Sequence, residues 1–338
     1  MKKKITIHDI AKRLNITASS VSRALHNNPR ISEATRNLVH EAASEMGYQQ
    51  NVIASALRSG KSGTVGVIIP LASRSFFSSI IGGIEEELSA EGYRVIICQS
   101  QQKLEREIAN IDLLMSARVD GIMISLTNET FTYDHLKKVT DSGMPLILFD
   151  KVIDFEAANM IVIDDYAASY QCVEHLIQQG CKRLAYVSGD TRVQIYRERL
   201  RGFRDALNIF DAQIEEYFIF EADSEVEEGK RVGHKILALP RLPDGIVSAS
   251  DYVAVGIMKV LAKAGVMCPK DVAITGFSNA SFTDLIEPGL TTIDQRNAHM
   301  GRMAAKLFIE QVTSQKDHIA RKVVLAPKLI VRESSTRL

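Results

Sequence analysis

The chain has no tryptophan, only four cysteines and eight prolines in 338 residues, and no net formal charge. Cys98, Cys172, Cys181 and Cys268 lie far apart, with no C-x-x-C and no Cys/His ligand spacing. That argues against disulfides and zinc and fits reduced thiols. No stretch approaches the ~18 apolar residues of a membrane span. The basic start, Lys2-Lys3-Lys4, runs into Ile5-Thr6-Ile7-His8-Asp9 instead of an apolar core. Neither a secretory signal nor a membrane partner is expected, and a cytoplasmic location is. Catalytic signatures are missing too: there is no G-x-S-x-G, H-E-x-x-H or G-x-G-x-x-G. Gly60-Lys61-Ser62 imitates the end of a phosphate-binding loop, but Ser55 stands where its first glycine belongs. The eight histidines are scattered. An enzyme, a metal and a cofactor are therefore not expected.

What is present is 46% apolar and 24% charged, the composition of a globular chain long enough for two or three domains. The zero net charge conceals an asymmetry. Residues 1–62 carry ten Lys and Arg against four Asp and Glu, net +6, which leaves 31 against 37, net −6, for the rest. A basic head on an acidic body is suited to meeting a polyanion with the head alone.

Thr6-Ile7-His8-Asp9 has the form of a capping box, and Ile7, Ile10, Ala11 and Leu14 follow at helical spacing. The pattern breaks at Asn15-Ile16. A second helix starts at Thr17, with Val21, Ala24 and Leu25 inward. Ser32 caps a third, with Leu38, Ala42 and Met46 inward and Gly47 as its stop. Two short helices joined by about three residues predict a helix-turn-helix, whose second helix enters the major groove of double-stranded DNA. Its early outward residues, Ala18, Ser19, Ser22 and Arg23, would face bases, with Arg23 suited to a guanine. Thr6, Ser20, Asn28, Arg30 and Thr35 would hold phosphates. Asn51 to Gly60 reads as a helix too short to stand alone in water, so it would form only against DNA or a second copy. Leu57, near its end, could wedge into the minor groove.

These segments resemble the LacI/GalR family of transcription regulators. The carriers are Thr6-Ile7-His8-Asp9-Ile10-Ala11-Lys12, Val21-Ser22-Arg23-Ala24-Leu25-His26-Asn27, Ile31-Ser32-Glu33-Ala34-Thr35-Arg36, Gly47-Tyr48 and Ala54-Ser55-Ala56-Leu57-Arg58. The resemblance implies a cytoplasmic, nucleoid-associated homodimer reading a palindromic operator, with Asn51, Ser55, Leu57 and Arg58 at its centre. Gln50 and Ser55 depart from the proline and arginine usual in that hinge.

After Gly63 the pattern changes. Apolar runs at Val65–Ile69, Arg94–Cys98, Gly121–Ile124, Leu146–Phe149, Leu184–Val187, Phe218–Phe220, Gly245–Val247 and Val272–Thr275 alternate with helical segments. Two such sets, before and after about residue 160, predict two doubly wound parallel sheets. The expected organisation is a helix-turn-helix domain (1–49), a hinge and linker (50–62) and an α/β body (63–338). The resemblance implies that the body is two-lobed, of the type I periplasmic-binding-protein fold. The first lobe would take 63–162 and 294–325, the second 163–293 and 326–338.

Ligands of open α/β sheets bind at the carboxyl ends of strands. That rule points to Ser73–Phe77, Asp150, Ser188–Arg199, Asp223-Ser224, Ser250-Asp251 and Ser278-Asn279. The resemblance implies Phe76 and Phe77 stacking on a small effector, Arg199 gripping its oxygens, and Asp150 and Asp251 accepting from hydroxyls. Ser278 replaces an aspartate common in the family, and Ser224 replaces an aromatic of purine-binding relatives, which disfavours a flat base. Arg74, Arg192 and Arg197 leave room for a sugar acid or sugar phosphate beside a neutral sugar. A solute receptor of a transport system is the competing reading of the body, and the basic head counts against it.

Overall fold

Three short helices make up the described part of the head: α1 (Ile7–Leu14), α2 (Ala18–Leu25) and α3 (Glu33–Glu45). The structure is a computed structural model that describes residues 5–25, 27–48, 61–210, 218–314 and 319–337. It divides into two units, Met1–Ser62 and Gly63–Leu338.

In the head, the Thr6 backbone N–H and hydroxyl both donate to Asp9 Oδ2, at 2.8 and 2.7 Å, and so open α1. Asn15 closes it in the left-handed conformation, φ +49°, which Asn tolerates better than most side chains. Ile10, Ala11, Val21, Ala24, Val39, Ala42 and Ala43 form the core. Leu38 is a correction to the expected inner face. It is 56% exposed, and Val39 takes the buried position.

The body contains two six-stranded sheets. The first has the order β11-β5-β4-β3-β1-β2, built from β1 (Thr64–Ile69), β2 (Arg94–Gln99), β3 (Ile122–Ile124), β4 (Leu146–Phe149), β5 (Asn159–Ile163) and β11 (Lys322–Leu325). All its pairings are parallel. The second has the order β12-β10-β9-β8-β6-β7, built from β6 (Leu184–Ser188), β7 (Ile219–Glu221), β8 (Gly245–Ser248), β9 (Ala273–Phe277), β10 (Thr291–Asp294) and β12 (Lys328–Ile330). Only β12 runs antiparallel, against β10. The two sheets thus repeat one winding, in which the first strand lies between the second and third. β3, β4, β8 and β9 are buried along their whole length, which is why they read as unbroken apolar runs.

Helices cover the sheets: α4 (Ser75–Ala90), α5 (Leu104–Ser116), α6 (Asp134–Asp141), α7 (Asp165–Gln178), α8 (Gln194–Ile209), α9 (Val226–Leu237), α10 (Asp251–Lys263) and α11 (Asn297–Thr313). α4, α8 and α10 begin at Ser75, Gln194 and Asp251, ahead of the apolar stretches that mark them in sequence. Their first turns carry cleft residues instead of core spacing, so the apolar rhythm starts late. β5, β10, β11, β12 and α6 are not among the expected runs; β5 falls on the boundary between the two strand sets.

The C-terminal segment is tied to the second sheet by a buried polar chain. His175 Nε2 on α7 lies 2.7 Å from Ser335 Oγ, which is 2.6 Å from Thr291 Oγ1. Burial holds His175 below the usual imidazole range. Its folded pKa is therefore depressed, and its contribution is present above the unfolded value of ~6.5 and lost as pH falls through the folded value. The stability difference between wild type and His175→Gln should shrink from pH 7.5 to pH 5.5 in urea unfolding. A difference independent of pH would show that His175 does not titrate on unfolding.

Candidate functional site

On the head, α2 turns Val21 and Ala24 inward and leaves Ser19 and Arg23 exposed, with Ser22 half-buried between them. Ala18 is half-buried and packs against the core. The residues expected at phosphates are also engaged locally. Thr6 is held by Asp9, and Ser20 Oγ lies 2.9 Å from Thr17 Oγ1. Asn28 Oδ1 accepts from the Arg30 N–H at 3.0 Å. Thr35 Oγ1 lies 2.8 Å from Ser32 Oγ. Such turns and caps fix where the helix starts stand, and each hydroxyl keeps acceptor capacity toward a donor. Asn51, Ser55, Leu57 and Arg58 lie outside the described residues.

In the body, a cavity of about 570 Å³ opens between the two sheets. Its lining comes from the segments that follow nine strands, β1 to β4 and β6 to β10. That is where helix N-termini and unpaired strand ends leave backbone and side-chain polar groups free to converge. Of the expected effector residues, Phe76, Phe77, Asp150, Arg192, Arg199, Asp223 and Ser278 line it. Two do not. Asp251, only 1% exposed, accepts from the Ala280 N–H at 2.8 Å and from Thr292 Oγ1 at 2.6 Å. It pins the loop after β9 from behind. Arg197 is exposed on α8, 4.0 Å from Glu198, on a different helical face from Arg199.

The polar groups of the cavity are organised in pairs. Asp150 follows β4 with φ +61°, a left-handed conformation costly for a non-glycine residue, and receives the Ser125 hydroxyl at 2.9 Å. Burial pushes its carboxyl pKa upward. Arg199, 4% exposed, donates from Nε to Asp165 Oδ1 at 2.7 Å and lies 3.6 Å over the Phe277 ring. Gln295 Nε2 donates to Ser278 Oγ at 2.8 Å, and its Oε1 has no partner among the described residues. Phe76 and Phe77 meet edge to face with centroids 4.9 Å apart. Phe77 is 7% exposed, so it serves the core and the wall together.

The arginines expected to make an anion seat are already compensated. Arg74 pairs with Glu225, donates to the Ser224 carbonyl at 2.8 Å and lies 3.8 Å over Tyr252. It thereby fastens the first sheet's side of the cleft to the second. Arg192 pairs with Asp190 at 2.5 Å and lies 5.1 Å from Phe131 across the cleft. Lys151, Gln102, Asn128 and Gln295 line the cavity and were missed from sequence, and Tyr196 lines it from within the expected Ser188–Arg199 segment. The strand-end rule reaches Gln102, Asn128 and Gln295 when applied after β2, β3 and β10.

The family model of bacterial regulatory proteins of the lacI family matches residues 6–51. That of periplasmic binding proteins and the sugar binding domain of the LacI family matches residues 62–330. The chain is 31% identical over 331 residues to the NTD biosynthesis operon regulator NtdR of Bacillus subtilis (strain 168), covering 98% of this chain and 99% of that one. It is 30% identical over 332 residues to the HTH-type transcriptional repressor CytR of Escherichia coli (strain K12), covering 98% and 96%. The fold is similar to that of a Lac repressor dimer bound to operator and the anti-inducer ONPF, with a TM-score of 0.88, 22% identity and coverage of 99% and 100%. By both family models and these full-length likenesses, the chain belongs to the LacI family of bacterial regulatory proteins, transcription regulators with a helix-turn-helix head and a ligand-binding body.

Proposed function

We propose that the protein is a homodimeric repressor of carbohydrate-utilisation genes, reading a palindromic operator through α2 and releasing or gripping it according to a sugar-type effector in the cleft. The cleft carries this reading. It offers aromatic edges from Phe76 and Phe77 beside carboxylate, guanidinium and amide groups, the combination that a ring with apolar faces and a hydroxylated rim requires. Effector and operator would then be linked through a coupling of roughly 5–150-fold, in either direction.

DNA binding is tested by gel shift on genomic fragments. A selective fragment whose affinity falls steeply with salt is expected, because phosphate contacts release counterions; recovery of no selective fragment would end the operator proposal. Arg23→Ala should cost about 1–3 kcal/mol at one symmetric pair of base positions. Uniform weakening over all positions would instead make Arg23 a phosphate contact.

The dimer is supported by the edge of the first sheet, which β2 forms among the described residues. On β2, Ile96 and Ile97 are 40% and 45% exposed, and on α5 Leu113 is 59% exposed. An edge strand that shows apolar side chains and unpaired backbone invites a partner. Ile97→Glu should convert a dimer to a 37.4 kDa monomer in sedimentation equilibrium. A variant that still sediments as wild type would move the interface elsewhere.

A further inference from the structure

Among the described residues, four of the five cations lining the cleft are matched by acids: Arg74 by Glu225, Lys103 by Glu129 at 2.6 Å, Arg192 by Asp190 at 2.5 Å and Arg199 by Asp165 at 2.7 Å. Lys151 is the fifth and differs. It is 5% exposed, follows Asp150 at the end of β4, and donates to Gln102 Oε1 at 2.9 Å and Asn128 Oδ1 at 2.8 Å. Both acceptors are neutral amides. Among the described residues no carboxylate lies within 4 Å of its ammonium, and its third N–H has no protein acceptor. Asp150 and Glu107 attract it from farther off, and Arg199 repels it.

A buried cation without a counter-ion is costly. Burial lowers the Lys151 pKa to about 8, so the group stays mostly charged at neutral pH. The surrounding backbone is also held in costly conformations, with φ +52° at Gln101, +60° at Gln102 and +61° at Asp150. Strain of this kind collects where a ligand is held.

We infer that Lys151 seats a carboxylate of the effector, with Gln102 and Asn128 steering its ammonium, so that the ligand is a sugar acid. The inference rests on the cleft being the effector site. A carboxylate fits better than a phosphate on charge. One uncompensated cation matches one negative charge, whereas a phosphate monoester brings about −1.5 to −2 at pH 7. The excess would face the buried Asp150 inside the cavity.

The test uses the full chain and thermal unfolding with matched probes at equal ionic strength: glucuronate, galacturonate and gluconate, glucose and galactose, and glucose 6-phosphate. At least one acid should raise Tm, its neutral counterpart should bind at least tenfold more weakly, and Lys151→Met should erase that preference. Lys151→Arg should keep part of it. The carboxylate seat is overturned by a neutral sugar or the phosphate binding best, or by Lys151→Met keeping the preference for an acid. If no sugar of any class shifts Tm, the cleft reading itself falls, and the seat with it.

Discussion

Arg199→Met is expected to lower the unfolding free energy by about 3–5 kcal/mol, because it strands Asp165 as a buried charge without a partner. Arg199 and Asp165 are 4% and 8% exposed and joined at 2.7 Å. The guanidinium also reaches the Ala249 carbonyl at 3.3 Å, so a second acceptor is orphaned. Burial already raises Asp165 to about 6, even with Arg199 opposing it. Removing Arg199 pushes it higher still. A carboxyl whose folded pKa exceeds its unfolded value favours the fold most below the unfolded value, and that contribution is lost as pH rises through the folded one. The variant's deficit should therefore be smaller at pH 5 than at pH 7.5, as read from urea midpoints. Adding Asp165→Asn should recover much of the loss. An equal deficit at both pH values, with no recovery in the double variant, would mean that the lost stability comes from packing on Phe277 instead.

Gly301→Ala should cost about 3 kcal/mol, although alanine is the better helix former. A Cβ at Gly301 would come within 2.0 Å of the Ile80 carbonyl oxygen. The crossing is reciprocal: a Cβ at Gly83 would lie 2.2 Å from the Ala298 oxygen. Both neighbours are helix backbone, which has no rotamer to change, so α4 and α11 must separate and lose close packing over their length. Gly82, one residue along, has nothing within 4 Å of its Cβ position. Gly82→Ala should instead gain about 0.5–1 kcal/mol from helix propensity. Denaturant unfolding of the two variants decides the matter. A neutral Gly301→Ala would mean that the two helices are free to move apart.

The family and its two-part plan were legible in the chain because the cues were local. Thr6 and Asp9 close a capping box within one turn, Asn15 breaks α1, and Val21 and Ala24 recur at helical spacing. Buried parallel strands such as Leu146–Phe149 announce themselves as apolar runs. Leu38 was misjudged because neighbouring apolar residues on a helix compete for one inward position, and Val39 won it by packing. Asp150, Arg199 and Ser278 could be named as cleft residues because the ends of strands are predictable places. What each does was not, since charge has meaning only beside its partners. In sequence, Arg74, Arg192 and Arg197 promise an anion seat, whereas Glu225 and Asp190 cancel the first two and the turn of α8 carries the third away. Asp251 is one residue past Ser250 and still faces the wrong way, held by Ala280 and Thr292, which lie about thirty and forty residues further on. Lys151 follows the aspartate already singled out, yet only the tertiary structure surrounds it with amides and withholds a counter-ion. Local order follows from spacing along the chain. The balance of charge in the cleft follows from which distant loops the two sheets bring together.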